Sequence, residues 1–262
     1  MPDLNVTLIQ TDLVWENIDA NLAAMDRHIQ SISEATDLIV LPEMFTTGFS
    51  MNPQKVARPM DSAAVQWLRA KAAGTGCDIT GSMAITSDER YHNRLLWAKP
   101  TGELICYDKK HLFAYAGEDK YYSPGDSILT VTLKQWRIRP FICYDLRFPV
   151  WTRNFDNAYD LALFVANWPQ RRAFHWRQLL TARAIENQCY VVGVNRVGRD
   201  AAGILYSGDS SVITPTGEVL FHLADAEGVH TIVLSQEELH SYRKTFPAWA
   251  DADRDLVSKS VP

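Results

Sequence analysis

Short apolar runs recur along this chain, and glycine, proline, asparagine and aspartate residues separate them. The runs are rich in β-branched and aromatic residues, which is typical of short buried strands bounded by turns. The pattern predicts strands at residues 5–10, 37–42, 78–85, 94–100, 141–145, 161–168, 190–197, 210–215 and 230–235.

Three longer segments instead place apolar residues at helical spacing. In the first of them, Leu22, Met25 and Ile29 fall on one side, as in an amphipathic helix. The predicted helices cover residues 17–33, 63–76 and 174–188. Because strands and helices alternate over the first two-thirds of the chain, we expect a layered α/β fold.

The remaining segments contain hairpin signals and no boundary between domains. Residues 91–131 resemble hairpins and loops, and residues 211–222 form a second hairpin pattern around a Pro-Thr-Gly-Glu turn. No shift in composition divides the chain, so we predict a single domain over residues 1–262. Its last part, at about residues 240–262, is predicted to be an extended arm that packs either on a neighbouring subunit or along the protein's own surface.

Composition excludes several classes of function. The net charge is −5, the pI is about 5.8 and the basic residues are scattered, so a nucleic-acid-binding face is not expected. The N-terminus has no signal-peptide pattern, and no run approaches the roughly 18 apolar residues of a membrane span. Four widely spaced cysteines, without a Cys-x-x-Cys pair, predict a cytoplasmic protein with free thiols and no bound metal.

Three of the predicted strands end in residues that could carry chemistry, namely Glu43, Cys143 and Asn167. Because ligands bind outside the carboxyl ends of strands in open α/β sheets, these residues could face one crevice. Each also has an ordinary structural interpretation. A lone Cys after an apolar run is usually a buried hydrophobe, and Glu43 and Lys109 could be surface charges.

Amide hydrolysis by a thiol would need these residue types together. A free thiol is only a few per cent ionised at neutral pH, so a catalytic Cys needs a base or a positive neighbour. The departing ammonia needs a proton, and one carboxylate can serve as base and then as acid. A lysine ammonium can stabilise the developing oxyanion. No cofactor is required.

Five segments, in this order, resemble the motifs of the nitrilase or carbon–nitrogen hydrolase superfamily. They are LPEMF around Glu43, YDKKHLF around Lys109, GEDKYYSPGD around Glu118, FICYDLRFP around Cys143 and ARAIENQCYVVGVN at residues 182–195. The resemblance extends over nearly the whole chain. It implies a four-layer α-β-β-α sandwich whose subunits associate through an outer helical layer, so we expect a homo-oligomer, most simply a dimer.

The resemblance also implies roles for individual residues. Glu43 matches the general base, Lys109 the oxyanion-stabilising lysine and Cys143 the nucleophile. Glu118 matches a second glutamate that positions the substrate and the lysine. The backbone N–H of Tyr144 would be the other oxyanion donor.

Residues after the nucleophile are given structural roles. Asp145 and Arg147 are expected to brace the turn that follows Cys143. His111 directly follows the lysine motif, so we expect it to orient backbone or a glutamate rather than to form a Cys–His pair.

The sequence Cys-Tyr-Asp-Leu-Arg-Phe resembles the omega-amidase branch, whose substrates are small monoamides of dicarboxylic acids such as 2-oxoglutaramate. The implied reaction yields the acid and ammonia through a Cys thioester. The chain departs from that branch at residues 167–176, where a Trp-Pro-x-Arg-Arg sequence follows Asn167. Asn167 lies where the family often has a residue that lines the pocket, so the resemblance implies this role for it. The arginine pair just after Asn167 leads us to predict that Arg171 or Arg172 pairs with the substrate's distal carboxylate. The alternative is that both arginines are solvated charges at a helix start.

Two other functions remain open at this point. The first is another carbon–nitrogen hydrolase specificity, for deaminated glutathione, an N-carbamoyl amino acid or a nitrile. The second is a non-catalytic binding or scaffold protein on the same fold, although a scaffold would not need Glu43, Lys109, Glu118 and Cys143 together.

Overall fold

The computed structural model describes residues 2–253, which form two β-sheets covered by helices. The strands are β1 (Leu4–Gln10), β2 (Leu38–Val40), β3 (Asp78–Ser87), β4 (Arg90–Ala98), β5 (Leu104–Asp108), β6 (Val131–Leu133), β7 (Trp136–Ile142), β8 (Leu161–Val165), β9 (Tyr190–Val194), β10 (Val197–Arg199), β11 (Leu205–Ile213), β12 (Val219–Ala224) and β13 (Gly228–Leu234). The helices are α1 (Ile18–Gln30), α2 (Pro53–Val56), α3 (Ala63–Thr75), α4 (Ala173–Asn187) and α5 (Gln236–Thr245).

Each sheet is built around three neighbouring parallel strands. The first sheet has the order β13-β1-β2-β3-β4-β5, in which β1, β2 and β3 are parallel. The second has the order β10-β11-β9-β8-β7-β6, with β12 on β11, and its parallel strands are β7, β8 and β9. The carboxyl ends of parallel strands therefore lie at one edge of each sheet, which is where ligands bind in such sheets.

The period-two alternation of the strands explains why the two sheets stack. Leu38 and Val40 of β2 point into the core shared with Trp136 and Leu161 of the second sheet. Ile39, between them, points to the opposite face and packs in the cluster that contains α1 and α3. Both faces of the strand are therefore buried, as the continuous apolar run predicted.

Helices cover the outer faces of both sheets. On the first sheet, Met25 of α1 and Leu68 of α3 are completely buried. On the second sheet, α4 lies so close to β9 that a Cβ at Gly193 would be 2.6 Å from Leu180 Cδ1. Only glycine permits this approach. The predicted four-layer α-β-β-α sandwich is confirmed. Among the described helices, none has the length and apolar character needed to span a bilayer.

The prediction of an extended arm from about residue 240 is wrong for residues 240–245, which belong to α5. Ser235 caps this helix by accepting a hydrogen bond from the Glu238 N–H. Arg243 is buried and donates to Asp160 Oδ1 at 2.7 Å, so the segment is fastened to the second sheet. Of the rest of the predicted arm, residues 246–253 follow α5 and include the short helical turn Ala248–Asp251, and residues 254–262 lie outside the described residues.

Candidate active site

Polar residues follow four strands at the edge where their carboxyl ends meet. Glu43 comes shortly after β2, Lys109 directly after β5, Cys143 directly after β7 and Asn167 shortly after β8. The structure brings all four together. Lys109 Nζ is 2.8 Å from Glu43 Oε1, and the Asn167 backbone N–H donates to Glu43 Oε2 at 2.7 Å. The side chain of Asn167 also donates to the Glu43 carbonyl oxygen.

Lys109 lies between two glutamates. Its Nζ donates to Glu43 and also to Glu118, 3.0 Å away at Oε2, and all three side chains are 0 % exposed. Burial alone would lower the pKa of Lys109, but the two carboxylates outweigh it and raise that pKa. The lysine therefore remains a fixed positive charge that is unsuited to act as a base.

For Glu118, burial has a larger effect on the pKa than the neighbouring lysine has. Burial raises its pKa, although Lys109 opposes the shift and the nearby Glu43 adds to it. The Phe113 backbone N–H, which donates to Glu118 Oε2 at 2.6 Å, holds the carboxylate against the lysine. Two carboxylates thus share one ammonium group, so this buried cluster has a surplus of negative charge.

Asn93 links the two glutamates and was not identified from the sequence. Its Nδ2 donates to Glu43 Oε1 at 2.8 Å and to Glu118 Oε1 at 3.2 Å, and Ser82 Oγ donates to its Oδ1 at 2.8 Å. A signal was available: Asn93 shares one face of β4 with Leu95, which lies in the core between the sheets. A lone amide on an inward apolar face often marks a buried polar network.

Cys143 occupies the turn where β7 ends. Burial, followed by the neighbouring Glu43, raises the pKa of its thiol well above the usual value, and Lys109 only partly compensates. Its φ of +45° is unusual for a residue other than glycine and forms a sharp bend into the short helical turn Cys143–Arg147. Tyr144 is in the first part of this turn, where N–H groups have no partner within the helix.

Asp145 braces the turn after Cys143, as predicted. Its Oδ2 accepts a hydrogen bond from the Ile142 N–H at 3.0 Å. His111 contacts Asp145 Oδ1 through Nδ1 at 2.8 Å, rather than the backbone or glutamate that we expected. The Arg147 guanidinium is 3.1 Å from His175 Nδ1 of α4, which links the turn to that helix, and the side chain also lines the cavity described next, which the sequence did not predict.

A cavity of about 390 Å³ opens beside Cys143, with Asn167 in its wall. This volume is ample for a small-molecule substrate. The wall is rich in aromatic residues: Trp15, Phe49, Phe113, Tyr115, Tyr144, Trp168 and Tyr206. Of these, Trp15, Phe49 and Tyr206 come from parts of the chain in which no motif was recognised.

Three arginines, Arg147, Arg171 and Arg172, also line this cavity. The Arg172 guanidinium is 5.2 Å from the Phe113 ring centre, and the Arg147 guanidinium is 4.7 Å from the Trp168 ring centre. Burial, then the neighbouring Arg171 and Arg147, lower the pKa of Arg172. Among residues 2–253, no carboxylate forms an ion pair with any of the three. One carboxylate, Asp200, also lines the cavity and accepts a hydrogen bond from the Tyr206 hydroxyl at 3.0 Å, so three cationic side chains and one anionic side chain give the wall a net positive formal charge.

Comparison with known proteins agrees with this geometry. The family described as carbon-nitrogen hydrolase matches residues 5–244. The chain belongs to the carbon–nitrogen hydrolase family. Within the described residues, this carbon–nitrogen hydrolase has no group of three or more His, Cys, Asp or Glu side chains arranged to hold a metal ion.

Several relatives are similar over nearly their full length. An omega-amidase, YafV, from Escherichia coli K12 is 49% identical over 97% of this chain and 98% of its own. A 2-oxoglutaramate amidase from Bacillus subtilis is 32% identical over 96% of this chain and 98% of its own. Among solved structures, XC1258 from Xanthomonas campestris, described as a CN-hydrolase superfamily protein with an arsenic adduct in the active site, has a TM-score of 0.94 and 43% identity, covering 97% of this chain and 98% of its own.

Proposed function

We propose that this hydrolase is an omega-amidase that converts small monoamides of dicarboxylic acids, such as 2-oxoglutaramate, to the acid and ammonia. The observation that carries the proposal is that three arginines, none of which forms an ion pair with a carboxylate of residues 2–253, line the same cavity as Cys143. Such a cavity suits a substrate with an amide at one end and a carboxylate at the other. The omega-amidase and the 2-oxoglutaramate amidase that resemble this chain support the same substrate class.

In the proposed mechanism, Cys143 Sγ attacks the terminal amide carbonyl while Glu43 accepts the thiol proton. The raised pKa of Cys143 explains why a base is needed, since the resting thiol is protonated at neutral pH. Lys109 and the Tyr144 N–H stabilise the tetrahedral oxyanion. Glu43 then protonates the departing ammonia, which leaves a thioester on Cys143. Water attacks this thioester with Glu43 as base, releasing the acid and the free thiol.

The other site residues position these groups. Glu118 and Glu43 both accept hydrogen bonds from Lys109 Nζ, and together they hold the ammonium group where the oxyanion forms. Asn167 holds Glu43 through its backbone N–H and lines the cavity beside the amide. Arg172 binds the distal carboxylate, with Arg171 nearer the rim.

We infer a single cytoplasmic domain that forms a homodimer through α4. Support for the dimer comes from apolar residues exposed on α4 and on the adjacent strand β12: Phe174, Ile185, Val219 and Leu220. All four cysteines are free thiols, which is usual in a reducing compartment.

The test is ammonia release by the wild-type protein and Cys143→Ala, with 2-oxoglutaramate, glutamine, an N-carbamoyl amino acid and a simple nitrile as substrates. We expect fast release from 2-oxoglutaramate and none from the variant. Ammonia release from a different compound of the panel, and not from 2-oxoglutaramate, would show that the proposed substrate is wrong and that the proposed mechanism still applies. A protein that hydrolyses nothing and whose Cys143 resists alkylation would instead support the scaffold function.

A further inference from the structure

Asp145 receives an unusual number of hydrogen bonds for a residue outside the proposed reaction. Its carboxylate is 0 % exposed. Oδ1 accepts from the His111 N–H at 3.0 Å and is 2.8 Å from His111 Nδ1. Oδ2 accepts from the Tyr107 hydroxyl at 2.7 Å and from the Ile142 N–H at 3.0 Å. Four groups of the chain therefore converge on one carboxylate.

The residues that donate to Asp145 lie next to Lys109 or Cys143 in the sequence. Tyr107 and His111 lie two residues before and two residues after Lys109. Ile142 directly precedes Cys143. The carboxylate thus ties the segment that carries the lysine, at the end of β5 in the first sheet, to the turn that carries the thiol, at the end of β7 in the second.

The donors are themselves held in place. Trp151 Nε1 donates to the Tyr107 hydroxyl oxygen at 3.1 Å, which leaves the hydroxyl proton directed at Asp145. The His111 ring stacks on Phe148, with the ring centres 3.7 Å apart. Neither side chain is free to turn away, so the link between the two segments is rigid.

Such a link matters because the proposed reaction uses groups from both sheets. Cys143 keeps its bent conformation, with φ of +45°, only if the surrounding contacts enforce it. Lys109 must also stay where the oxyanion forms beside Cys143, and a displacement of about 1 Å can lower a rate by about 100-fold.

We propose that Asp145 is a positioning residue that fixes Lys109 relative to Cys143. It takes no part in proton transfer and touches no substrate. The inference rests on the proposed amidase function, and the experiment below separates the failure of one from the failure of the other.

The principal variant is Asp145→Asn, which has nearly the same shape. A carboxylate offers two acceptor oxygens, whereas an amide must direct its NH₂ at one pair of donors. The matched control is Asp160→Asn. Asp160 is also buried and accepts four hydrogen bonds, from Arg137 and Arg243, but it precedes β8 and so lies at the opposite end of the sheet.

Two readouts distinguish positioning from general stability. The first is the division between kcat and KM for 2-oxoglutaramate, measured on folded protein. The second is the pH dependence of Cys143 alkylation by iodoacetamide, followed on the Cys143 peptide by mass spectrometry. The positive charge of Lys109 lowers the pKa of Cys143, so a displaced lysine shifts alkylation to higher pH.

For Asp145→Asn we expect kcat to fall by about 100-fold with KM changed less than about 3-fold, and alkylation to require higher pH. Asp160→Asn should match the wild type in both readouts, even if its melting temperature is lower. An Asp145→Asn protein that is folded and behaves like Asp160→Asn in both readouts would overturn the proposal.

If Asp145→Asn does not fold, Tyr107→Phe decides the question, since it removes one of the four contacts. Its kcat should fall by about 10-fold and its alkylation should shift to higher pH, whereas wild-type values would refute the positioning role.

If the wild type hydrolyses no amide, the proposed function fails, and the alkylation profiles still test the link between Lys109 and Cys143.

Discussion

Two clusters of charged side chains, each with a buried carboxylate, lie at opposite ends of the sandwich. The lysine cluster (Glu43, Lys109 and Glu118) lies beyond the carboxyl ends of the parallel strands. The aspartate cluster (Asp160, Arg137 and Arg243) lies where β8 begins. Both contain carboxylates that are almost completely buried, and burial acts to raise the pKa of Glu118 in the first and of Asp160 in the second.

The carboxylates nevertheless shift in opposite directions. Burial raises the pKa of Glu118, and one lysine shared with Glu43 does not cancel the effect. Burial also acts to raise the pKa of Asp160, but the hydrogen bonds and charges of two arginines outweigh it and lower that pKa. Two arginines therefore stabilise Asp160 as an anion, whereas Glu118, which shares one lysine with Glu43, binds a proton more readily than a free glutamate does.

The largest effect should follow from Cys143→Ala, which removes the thiol beside the lysine cluster. We expect turnover of 2-oxoglutaramate to fall by at least about 10⁴-fold, because no other group forms the acyl-enzyme. Steady-state ammonia release and circular dichroism would be measured together. Substantial activity in the folded variant would contradict the covalent mechanism.

Changes within the lysine cluster should come next. Glu43→Gln removes the proposed base, and Lys109→Ala removes a proposed oxyanion partner, so we expect each to lower kcat by about 10²–10⁴-fold. Both proteins should remain folded at neutral pH, a point that circular dichroism would check. A kcat within a few-fold of the wild type for either variant would exclude its assigned role.

Changes in the aspartate cluster should lower the stability of the protein without lowering its activity. Arg243→Ala leaves a buried carboxylate with one fewer partner, and we expect the free energy of unfolding to fall by about 3 kcal/mol. Because this cluster is remote from the cavity, kcat at 25 °C should not change. Urea unfolding and ammonia release on the same preparation would test both statements, and a large fall in kcat would show that the two clusters are coupled.

The pH dependence of stability sharpens this contrast. The folded-state pKa of Asp160 lies below the unfolded value of about 3.9, so ionised Asp160 adds to the free energy of unfolding. This stabilisation is complete above pH about 3.9 and is lost as the pH falls through the folded-state pKa. Urea unfolding between neutral and acidic pH should therefore show a smaller loss of stability for Asp160→Asn than for the wild type. Parallel curves would mean that Asp160 is not stabilised as an anion.

The smallest effect should come from the arginine wall. We expect Arg172→Ala to raise KM for 2-oxoglutaramate by about 10-fold and Arg171→Ala, nearer the rim, by about 2-fold. Propionamide, which has no carboxylate, is the control substrate, and its KM should not respond. If neither variant changes KM for the carboxylate-bearing amide, these two arginines do not bind the distal group.

The sequence was most informative where a function is encoded in contiguous residues. Glu43 and Cys143 lie where predicted strands end, and Glu43, Lys109 and Cys143 each lie in a short motif that resembles the nitrilase superfamily, so the resemblance predicted that the three would share one site. The family and the four-layer fold, both predicted from those motifs, are confirmed.

The remainder depends on contacts between distant parts of the chain. Asn93 joins Glu43 across 50 positions, and Tyr206 reaches the cavity from a strand of the other sheet. Arg147 was given a structural role because its position beside the nucleophile does not reveal the direction of its side chain. Alternation along β4 could place Asn93 on the inner face of the sheet, but strand pairing joins residues far apart in the sequence, so no local pattern identifies Glu43 as its partner.

The most direct test of the central claim, that the lysine cluster serves a covalent reaction at Cys143, is mass spectrometry of the protein quenched in acid during turnover of 2-oxoglutaramate. The account predicts an acyl group, labile to hydroxylamine, on the Cys143 peptide of the wild type and on no peptide of Cys143→Ala. Rapid ammonia release without any acyl group on Cys143, at times shorter than one turnover, would contradict it.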